Sequence, residues 1–341
     1  MKKTDLIFDY PEELVALHPQ RPSRVMWVKS NGEPCEIPFN ELIEKFERND
    51  VLVINNTKVL SRRVFAEDLE ILFLQNLGGK RWQVLFPSKN IRVGQEIVLP
   101  ENLKMRLVEK GRPQTVELSE EVEESYFQRI AELPLPPYIQ KARGERHNRP
   151  EDKNWYQTAW AKAPGSFAAP TASLHFSSQD LEALRGRGVR IVEVTLHVGL
   201  GTFLPITSES LEDHQMHAEW IVIPRESAQI IHEAKKAHQR VWSLGTTVTR
   251  SLESWAHGLL QESSEGDWSG FSQLFIRPGF EYKIVDRLMT NFHQPESTLL
   301  ALVAAFASLK NVKQNYQWAI ERKFRLFSYG DLSVWEKQER T

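Results

Sequence analysis

Short apolar runs alternate with amphipathic segments along most of the chain. In the second half, the apolar run at 189–197 predicts a strand, and the periodic segment at 180–187, which follows Ser177 and Ser178, predicts a capped helix. Further strands are predicted at 25–29, 50–54, 240–245, 273–276 and 324–329, and further helices at 41–48, 154–162, 224–238, 246–260, 298–307 and 314–323. This alternation is typical of a largely parallel sheet with flanking helices.

The pattern changes between residue 62 and about residue 129, where the apolar runs become short and strand-like. They lie at 69–74, 81–86, 96–99, 105–108 and 115–118, with glycine- or proline-containing turns between them. Regular short strands of this kind predict a small β-barrel or sandwich. We therefore predict an α/β catalytic domain built from residues 1–61 and 149–341, interrupted by an inserted β-barrel domain at 62–148.

Composition adds the expected class of protein. The 341 residues are 41% hydrophobic and 26% charged, which is ordinary for a globular chain. The single cysteine, Cys35, cannot form an internal disulfide, and this fits a reducing compartment. No apolar run approaches the roughly 20 residues of a membrane span, and no apolar segment follows Met1-Lys2-Lys3. We expect a soluble cytoplasmic protein without a membrane partner.

The net charge of −2 argues neither for nor against nucleic acid, so binding to RNA would need a local basic surface. Several basic residues cluster along the sequence and are candidates for RNA contacts. They are Arg21, Arg24, Lys58, Arg62, Arg143 and Arg146. The alternative is that each cluster is only a solvated surface.

The stretch from 165 to 203 is rich in small residues and contains His175 and His197. His197 ends a predicted strand, and the glycines Gly199 and Gly201 follow it, so the backbone there can approach a ligand closely. Imidazole titrates near working pH, which makes either histidine a candidate general base. The alternative for both is a core histidine that is hydrogen-bonded to the backbone.

A second candidate cluster is GTTVTRSLES at 245–254, where a predicted strand gives way to a helix. The helix start at Thr246 and Thr247 offers free N–H groups to an anion or carboxylate. Arg250 and Glu253 follow within the helix, and as alternatives they pair with each other or the segment is a plain capped helix.

The third and fourth clusters lie near the C-terminus. Asn291 and His293 precede a capped helix and are expected at a corner of the pocket. In FSYGD at 327–331, Tyr329 is expected to stack on a base and Asp331 to accept a hydrogen bond from a ring nitrogen. The alternative for these two residues is a C-terminal strand and turn.

His214, His217 and Glu219 are a possible metal-binding set, which would fit a metal-dependent hydrolase. The pattern is weak because it lacks the helix-borne His-Glu-x-x-His spacing. A Gly-x-Ser-x-Gly nucleophile elbow and a Gly-x-Gly-x-x-Gly dinucleotide loop after the first strand are also absent from the sequence. Spacing alone therefore predicts an α/β enzyme with a polar, histidine-lined pocket.

Several longer blocks resemble the S-adenosylmethionine:tRNA ribosyltransferase-isomerase family of queuosine biosynthesis. These blocks, in order along the chain, are FDYPEEL, LPLPPYI, GSFAAPTASLHF, VTLHVGLGTF, HQMHAE, GTTVTRSLES, FIRPGF, TNFHQPESTLL and FSYGD. The resemblance covers nearly the whole chain. It implies an α/β catalytic domain interrupted by a small β-barrel, as the apolar pattern also predicts.

The resemblance also implies a reaction. The ribosyl part of S-adenosylmethionine would pass to 7-aminomethyl-7-deazaguanine at the tRNA wobble position, giving epoxyqueuosine in tRNA with release of adenine and methionine. S-Adenosylmethionine is then a consumed co-substrate, no other cofactor is expected, and we expect a monomer whose partner is the tRNA.

For such a reaction we expect His175 or His197 as the general base and Asp331 or Glu219 near the adenine or the attacking amine. The remaining substrate contacts are expected from Thr171, Thr246, Thr247, Arg250, Glu253, Asn291, His293 and Tyr329.

The chain departs from the family pattern in places. The resemblance implies Asn-Asp-Thr-Arg where Asn55-Asn56-Thr57-Lys58 stand, glycine at Ser173, and Leu-Pro-Arg where Gln294-Pro295-Glu296 stand. Glu296 reverses a local charge, which puts an anion contact there in doubt. A homologue that binds RNA without catalysis is therefore a further alternative.

Overall fold

A computed structural model describes residues 1–199, 206 and 208–338. Gly201 and the rest of the glycine-rich loop at 200–203 lie outside the described residues.

Most of the described chain forms strands and helices that alternate in sequence. The strands are β1 (Val25–Val28), β2 (Pro34–Ile37), β3 (Val51–Asn55), β4 (Thr57–Val59), β5 (Arg63–Ala66), β6 (Leu69–Gly78), β7 (Arg81–Leu85), β8 (Glu96–Val98), β9 (Lys104–Glu109), β10 (Gln114–Leu118), β11 (Ala163–Ser166), β12 (Arg190–Leu196), β13 (Glu219–Ile223), β14 (Val241–Leu244), β15 (Gln261–Glu262), β16 (Trp268–Ser272), β17 (Arg287–Asn291) and β18 (Leu332–Glu336). The helices are α1 (Phe39–Glu44), α2 (Glu124–Ile130), α3 (Pro137–Arg143), α4 (Asp152–Trp155), α5 (Ser178–Gly186), α6 (Arg225–Lys236), α7 (Thr246–Ala256), α8 (Thr298–Ala307) and α9 (Leu309–Glu321).

A ten-stranded mixed sheet organises the larger part of the chain, in the order β15-β16-β13-β12-β3-β14-β17-β18-β1-β2. Its centre, β12-β3-β14-β17, is parallel, whereas β13, β16 and β15 on one side and β2 on the other are antiparallel to their neighbours. Strand β18 runs antiparallel to β17 and parallel to β1. The largely parallel sheet predicted from the sequence is therefore correct for the centre only.

Helices cover both faces of this sheet, which is why β3 and β14 are buried along their whole length. The core on one face includes Ile231 of α6, Val248 of α7 and Leu302 of α8. The core on the other face includes Leu42 of α1 and Leu181 of α5.

The short strands β5 to β10 form a separate, barrel-like, six-stranded antiparallel sheet in the order β5-β6-β7-β10-β9-β8. Side chains that alternate along its strands, such as Ile71 and Phe73, are buried in a core of their own. Phe127 of α2 closes that core, with its ring 5.1 Å from the ring of Phe73. The predicted change from α/β to all-β texture is thus confirmed in this segment.

Three sequence predictions of secondary structure are wrong. The helix predicted at 154–162 is limited to α4, because the chain then turns so that the Trp160 indole donates to the Asn55 carbonyl. The strand predicted at 273–276 lies earlier, at β16, and the strand predicted at 324–329 lies later, at β18. Apolar residues in these two segments, such as Ile276 and Phe324, are buried although their backbone is irregular. The spacing of apolar residues alone does not distinguish such a segment from a strand.

Within the described residues, no helix combines the length and apolar character needed to cross a membrane.

Asp50 ties the start of β3 to the neighbouring strand β14. Its carboxylate accepts hydrogen bonds from the Arg240 guanidinium at 2.8 and 3.1 Å and from the Trp242 indole at 2.9 Å. The Asp50 side chain is 3% exposed, whereas Glu47, which also pairs with Arg240, is 76% exposed. Arg240 therefore forms one ion pair with a buried carboxylate, that of Asp50, and one with an exposed carboxylate, that of Glu47.

We expect Asp50→Ala to lower the free energy of unfolding by roughly 3 kcal/mol, because it leaves buried donors without an acceptor. Glu47→Ala should cost less than about 1 kcal/mol, since exposed pairs contribute little. Urea titrations of both variants measure the difference. Equal losses would show that Asp50 does not anchor β14.

Candidate active site

A cavity of about 240 Å³ lies where the parallel strands end. Residues that follow the carboxyl ends of β12, β14 and β17 line it, as is usual for ligand sites in open α/β sheets. The segment at 168–172, the first residue of β13, and residues 136, 138, 156, 327 and 328 complete the wall. Of the predicted site residues, the lining includes Thr171, Glu219, Thr246, Thr247, Arg250, Asn291 and His293.

Helix α7 begins at the cavity wall. Gly245 precedes it with φ +100°, a conformation that favours glycine, and none of the described side chains caps the helix. The first N–H group of the helix that has a helical acceptor is that of Thr249, which donates to the Gly245 carbonyl at 3.1 Å. The N–H groups of residues 246–248 therefore have no helical acceptor. The helix start thus presents unpaired donors and the positive end of its dipole to the cavity.

Arg250 and Glu219 form a buried ion pair beside this helix start. One guanidinium nitrogen of Arg250, Nη1, donates to the Glu219 carboxylate, and Nε donates to the Leu274 carbonyl at 3.3 Å. The other terminal nitrogen, Nη2, is buried without a hydrogen-bond partner among the described residues. Glu219 also accepts from the Gly199 N–H at 3.1 Å. The cavity wall therefore carries the fixed carboxylate of Glu219 beside the Arg250 guanidinium, whose Nη2 is an unpaired donor among the described residues.

His293 lines the cavity and is held by Thr290, whose hydroxyl lies 2.8 Å from Nε2. The backbone N–H of His293 donates to the Tyr316 hydroxyl at 3.0 Å. Burial lowers the pKa of His293 to about 3, so the ring is neutral at neutral pH. Within the described residues Nδ1 has no protein partner, and it is available to a ligand.

Asn291 is oriented by a network that includes His175. The Phe327 carbonyl can only accept a hydrogen bond, so the side-chain atom of Asn291 that lies 3.1 Å from it is the nitrogen Nδ2 and not the oxygen. This contact fixes the orientation of the Asn291 amide. That nitrogen also donates to His175 Nε2 at 3.0 Å, and Oδ1 accepts from the Thr171 hydroxyl at 3.0 Å. His175 Nδ1 then carries the proton and donates to Ser23 at 2.6 Å.

Both ring nitrogens of His175 are thus occupied, and burial together with the charges of Arg21 and Arg325 lowers its pKa to about 3. His175 is buried and is outside the lining of the cavity.

His197 also lies outside the lining. Its neighbour Val198 does line the cavity. The Nδ1 of His197 lies 2.8 Å from the Thr57 hydroxyl, and a Cβ at Gly165 would approach the ring to 2.8 Å. Burial lowers the pKa of His197. The role of general base for His175 or His197 stays a prediction, since neither ring reaches the cavity.

Three other predicted residues are engaged in the protein interior. The Glu253 carboxylate accepts from the backbone N–H groups of residues 283, 284 and 285 and does not pair with Arg250. Asp331 accepts from the N–H groups of Arg24 and Arg325, and burial raises its pKa. Tyr329 is buried, and burial raises its pKa. None of the three lines the cavity, so these side chains hold its surroundings in place.

The candidate RNA contacts divide by exposure. Arg62 is buried against the Phe127 ring at 4.2 Å, and Arg143 forms a buried pair with Asp152 at 2.7 Å. Arg24 pairs with Glu36 at 2.8 Å, and Arg21 donates to the Leu174 carbonyl.

Lys58 is exposed without a partner among the described residues, and the side chain of Arg146 is 53% exposed. These two residues keep charge available at the surface.

The possible metal ligands are not assembled. His214 packs edge-on against Phe275, with ring centres 5.3 Å apart, and Glu219 is engaged by Arg250. In the part of the chain that the structure describes, no group of three histidine, cysteine or carboxylate side chains could hold a metal ion. The metal-dependent hydrolase therefore has no support from this geometry.

Sequence reasoning missed Tyr138 as a lining residue. Its hydroxyl donates to Ser328 and accepts from the Ser328 N–H at 2.9 Å, and burial raises its pKa to about 12. The tyrosine stands in the LPLPPYI block, one of the blocks that resemble the family. Glu296 lines the cavity as well, and its carboxylate lies 3.5 Å from Lys3 Nζ. The positive charge of Lys3 therefore lies beside Glu296, the residue that reverses the charge implied by the family pattern.

Comparison with known proteins adds the family. Residues 3–334 match the family described as queuosine biosynthesis protein. A protein of Rubrobacter xylanophilus named S-adenosylmethionine:tRNA ribosyltransferase-isomerase is 41% identical over 343 residues, which cover 97% of this chain and 96% of that protein. One of the same name from Caldanaerobacter subterraneus is 39% identical over 348 residues, covering 97% of this chain and 98% of that protein.

Among solved structures, the crystal structure of S-adenosylmethionine tRNA ribosyltransferase from Thermotoga maritima matches with a TM-score of 0.55 at 29% identity. The match covers 97% of this chain and 99% of that one.

The buried neutral histidines predict an acid-sensitive fold. An unfolded histidine, with a pKa near 6.5, binds a proton below that pH, whereas folded His293 and His175 do so only near pH 3. The stability that each contributes is therefore present above pH 6.5 and is lost as the pH falls towards 3.

We expect His293→Gln and His175→Gln each to make the fall of unfolding free energy between pH 6 and pH 4 shallower, by roughly 1 kcal/mol per pH unit. Urea titrations across that range measure the slope. A slope equal to that of the wild type would contradict a neutral, buried imidazole.

Proposed function

The chain belongs to the queuosine biosynthesis family and works as an S-adenosylmethionine:tRNA ribosyltransferase-isomerase, and on this premise we propose its substrates and products. It transfers and isomerises the ribosyl part of S-adenosylmethionine onto 7-aminomethyl-7-deazaguanine at the tRNA wobble position. The products are epoxyqueuosine in tRNA, free adenine and methionine.

The observation that carries this proposal is the ion pair beside the α7 start. The methionyl end of S-adenosylmethionine is an amino acid zwitterion, with a carboxylate and an ammonium on one carbon. Arg250 Nη2 and the first N–H groups of α7 are donors suited to the carboxylate. Glu219 stands beside them as an acceptor for the ammonium. The wall therefore complements both charges of one amino acid group.

The other polar groups of the cavity suit the nucleoside parts of the substrates. His293, Asn291 and Thr171 offer neutral hydrogen-bonding groups, and neutral groups recognise a purine without an ionic preference. Ala168, Ala169 and Pro170 supply apolar surface in the same wall. Pockets that pair apolar surface with a few placed polar groups are typical of small-molecule sites.

The sulfonium of S-adenosylmethionine acidifies the adjacent C5′ protons, and adenine leaves more easily when a donor reaches its ring nitrogens. His293 is suited to assist the departure of adenine, because its neutral ring can hydrogen-bond the adenine ring nitrogens. The burial that keeps it neutral also makes it a weak base. His175, through Asn291, acts as a positioning residue.

The first test is the reaction itself. Incubation of the purified protein with S-adenosylmethionine and tRNA that carries 7-aminomethyl-7-deazaguanine should release adenine in step with formation of epoxyqueuosine in the tRNA. Chromatography of the supernatant and of the digested tRNA measures both. Adenine release that does not require the modified tRNA, or no release at all, would contradict the proposed reaction.

A second test addresses the carboxylate site. Arg250→Met should raise KM for S-adenosylmethionine by about 10- to 100-fold, because a charge-assisted contact contributes about 1.5–3 kcal/mol. The double variant Arg250→Met, Glu219→Gln avoids an unpaired buried carboxylate and should show the same rise with a melting temperature closer to that of the wild type. Arg277→Met is the control, since Arg277 pairs with Glu212 at 3.7 Å outside the cavity. An unchanged KM in both Arg250 variants would remove this assignment.

A further inference from the structure

A second and larger cavity, of about 660 Å³, lies on the outer face of the six-stranded sheet. Leu72 and Leu85, which are directly paired across β6 and β7, form part of its floor. Both are half-buried, whereas their neighbours Ile71 and Val84 point into the core of the sheet. The opposite wall is the proline-rich segment that leads into α3.

That proline-rich segment is shared by the two cavities. Pro136 and Tyr138 line the catalytic cavity, while Pro134, Leu135 and Pro137 line the second one. A single stretch of backbone therefore separates them. Cavities on the two sides of one segment are an arrangement suited to successive units of a polymer.

A buried arginine faces the second cavity. Arg63 is 2% exposed, and Nη2 donates to Glu132 and Asn148, each at 2.7 Å, and to the Arg146 carbonyl at 2.9 Å. Nε and Nη1 have no hydrogen-bond partner among the described residues, although Nη1 lies 3.7 Å from the Glu70 carboxylate. Buried guanidinium donors without an acceptor are costly unless a ligand or water satisfies them.

The rim carries charge of both signs. Arg112 is exposed and has no hydrogen-bond or ion-pair partner among the described residues. Arg146 donates to the Asp68 carbonyl at 2.9 Å and stays 53% exposed. Asp68 and Glu70 also border the cavity. Arginines of this kind suit a phosphate, and the carboxylates suit the amino groups of a base.

We propose that the second cavity takes an unpaired nucleotide of the tRNA, adjacent to the nucleotide whose base enters the catalytic cavity. This inference rests on the proposed function. The base packs on Leu72, Leu85 and the neighbouring prolines, and its phosphate meets Arg112. Loop nucleotides of RNA are recognised in this way, with bases splayed out of the stack and packed on a protein surface.

Two variants test the cavity from different sides. Arg112→Glu removes the free cation at the rim, and Leu85→Trp fills the floor. Arg81→Glu is the matched control, because Arg81 is an exposed arginine at the opposite end of the same strand as Leu85. Adenine release is measured at varied concentrations of tRNA that carries 7-aminomethyl-7-deazaguanine. Affinity for that tRNA is measured separately by fluorescence anisotropy, and affinity for S-adenosylmethionine by calorimetry.

We expect Arg112→Glu and Leu85→Trp each to weaken tRNA binding and raise KM for tRNA by about tenfold, and Arg81→Glu to change neither by more than about twofold. Affinity for S-adenosylmethionine should stay within about twofold in all three. Arg112→Ala should also reduce the salt dependence of tRNA binding by roughly 0.7 in the log–log slope, as for one phosphate contact of a single strand.

Wild-type-like tRNA binding in Arg112→Glu and Leu85→Trp would overturn the inference while the reaction of the wild type stands. An equal loss in Arg81→Glu would also overturn it, since the effect would then be general electrostatics. Failure of the proposed function is recognised differently, as absence of tRNA-dependent adenine release in the wild type. Arg112 is exposed, so its variants test the site even if Leu85→Trp does not fold.

Discussion

Arg250 and Glu219 join the second turn of α7 to the first residue of β13 through a buried ion pair. Taking two charges out of water is costly, and an ion pair alone often fails to offset that cost. The unpartnered Nη2 of Arg250 adds to it. A binding site explains the arrangement better than stability does, because a zwitterionic ligand would satisfy both charged groups at once. The other polar groups of the cavity are placed around this pair.

The shape of the cavity follows from the sheet. Parallel strands β12, β14 and β17 end at one edge, and the chain must leave each of them through a loop. The residues that follow these strands are therefore brought together although they are far apart in sequence. The six-stranded sheet adds a second cavity behind one proline-rich wall, so a reaction on a polymer has a place for the neighbouring unit.

Much of this was predictable from the sequence. The change of apolar period separated the two sheets, and Gly-Thr-Thr after a strand predicted a ligand-facing helix start that the structure places at the cavity. The histidines were not separable in that way, because the sequence around His175, His197 and His293 does not show which ring is enclosed and which lines the cavity. Only tertiary contacts show that His293 faces the cavity while His175 orients Asn291. Glu253 likewise looked like a partner of Arg250 from spacing, but backbone N–H groups distant in sequence claim its carboxylate.

We propose above all that the wall formed by Arg250, Glu219 and the α7 start takes the methionyl carboxylate. The most direct measurement is calorimetric binding of S-adenosylmethionine and of decarboxylated S-adenosylmethionine, which lacks only that carboxylate, to the wild-type protein. We expect at least about tenfold weaker binding of the decarboxylated compound, since charge-assisted hydrogen bonds are lost. Equal affinity for the two compounds would contradict it.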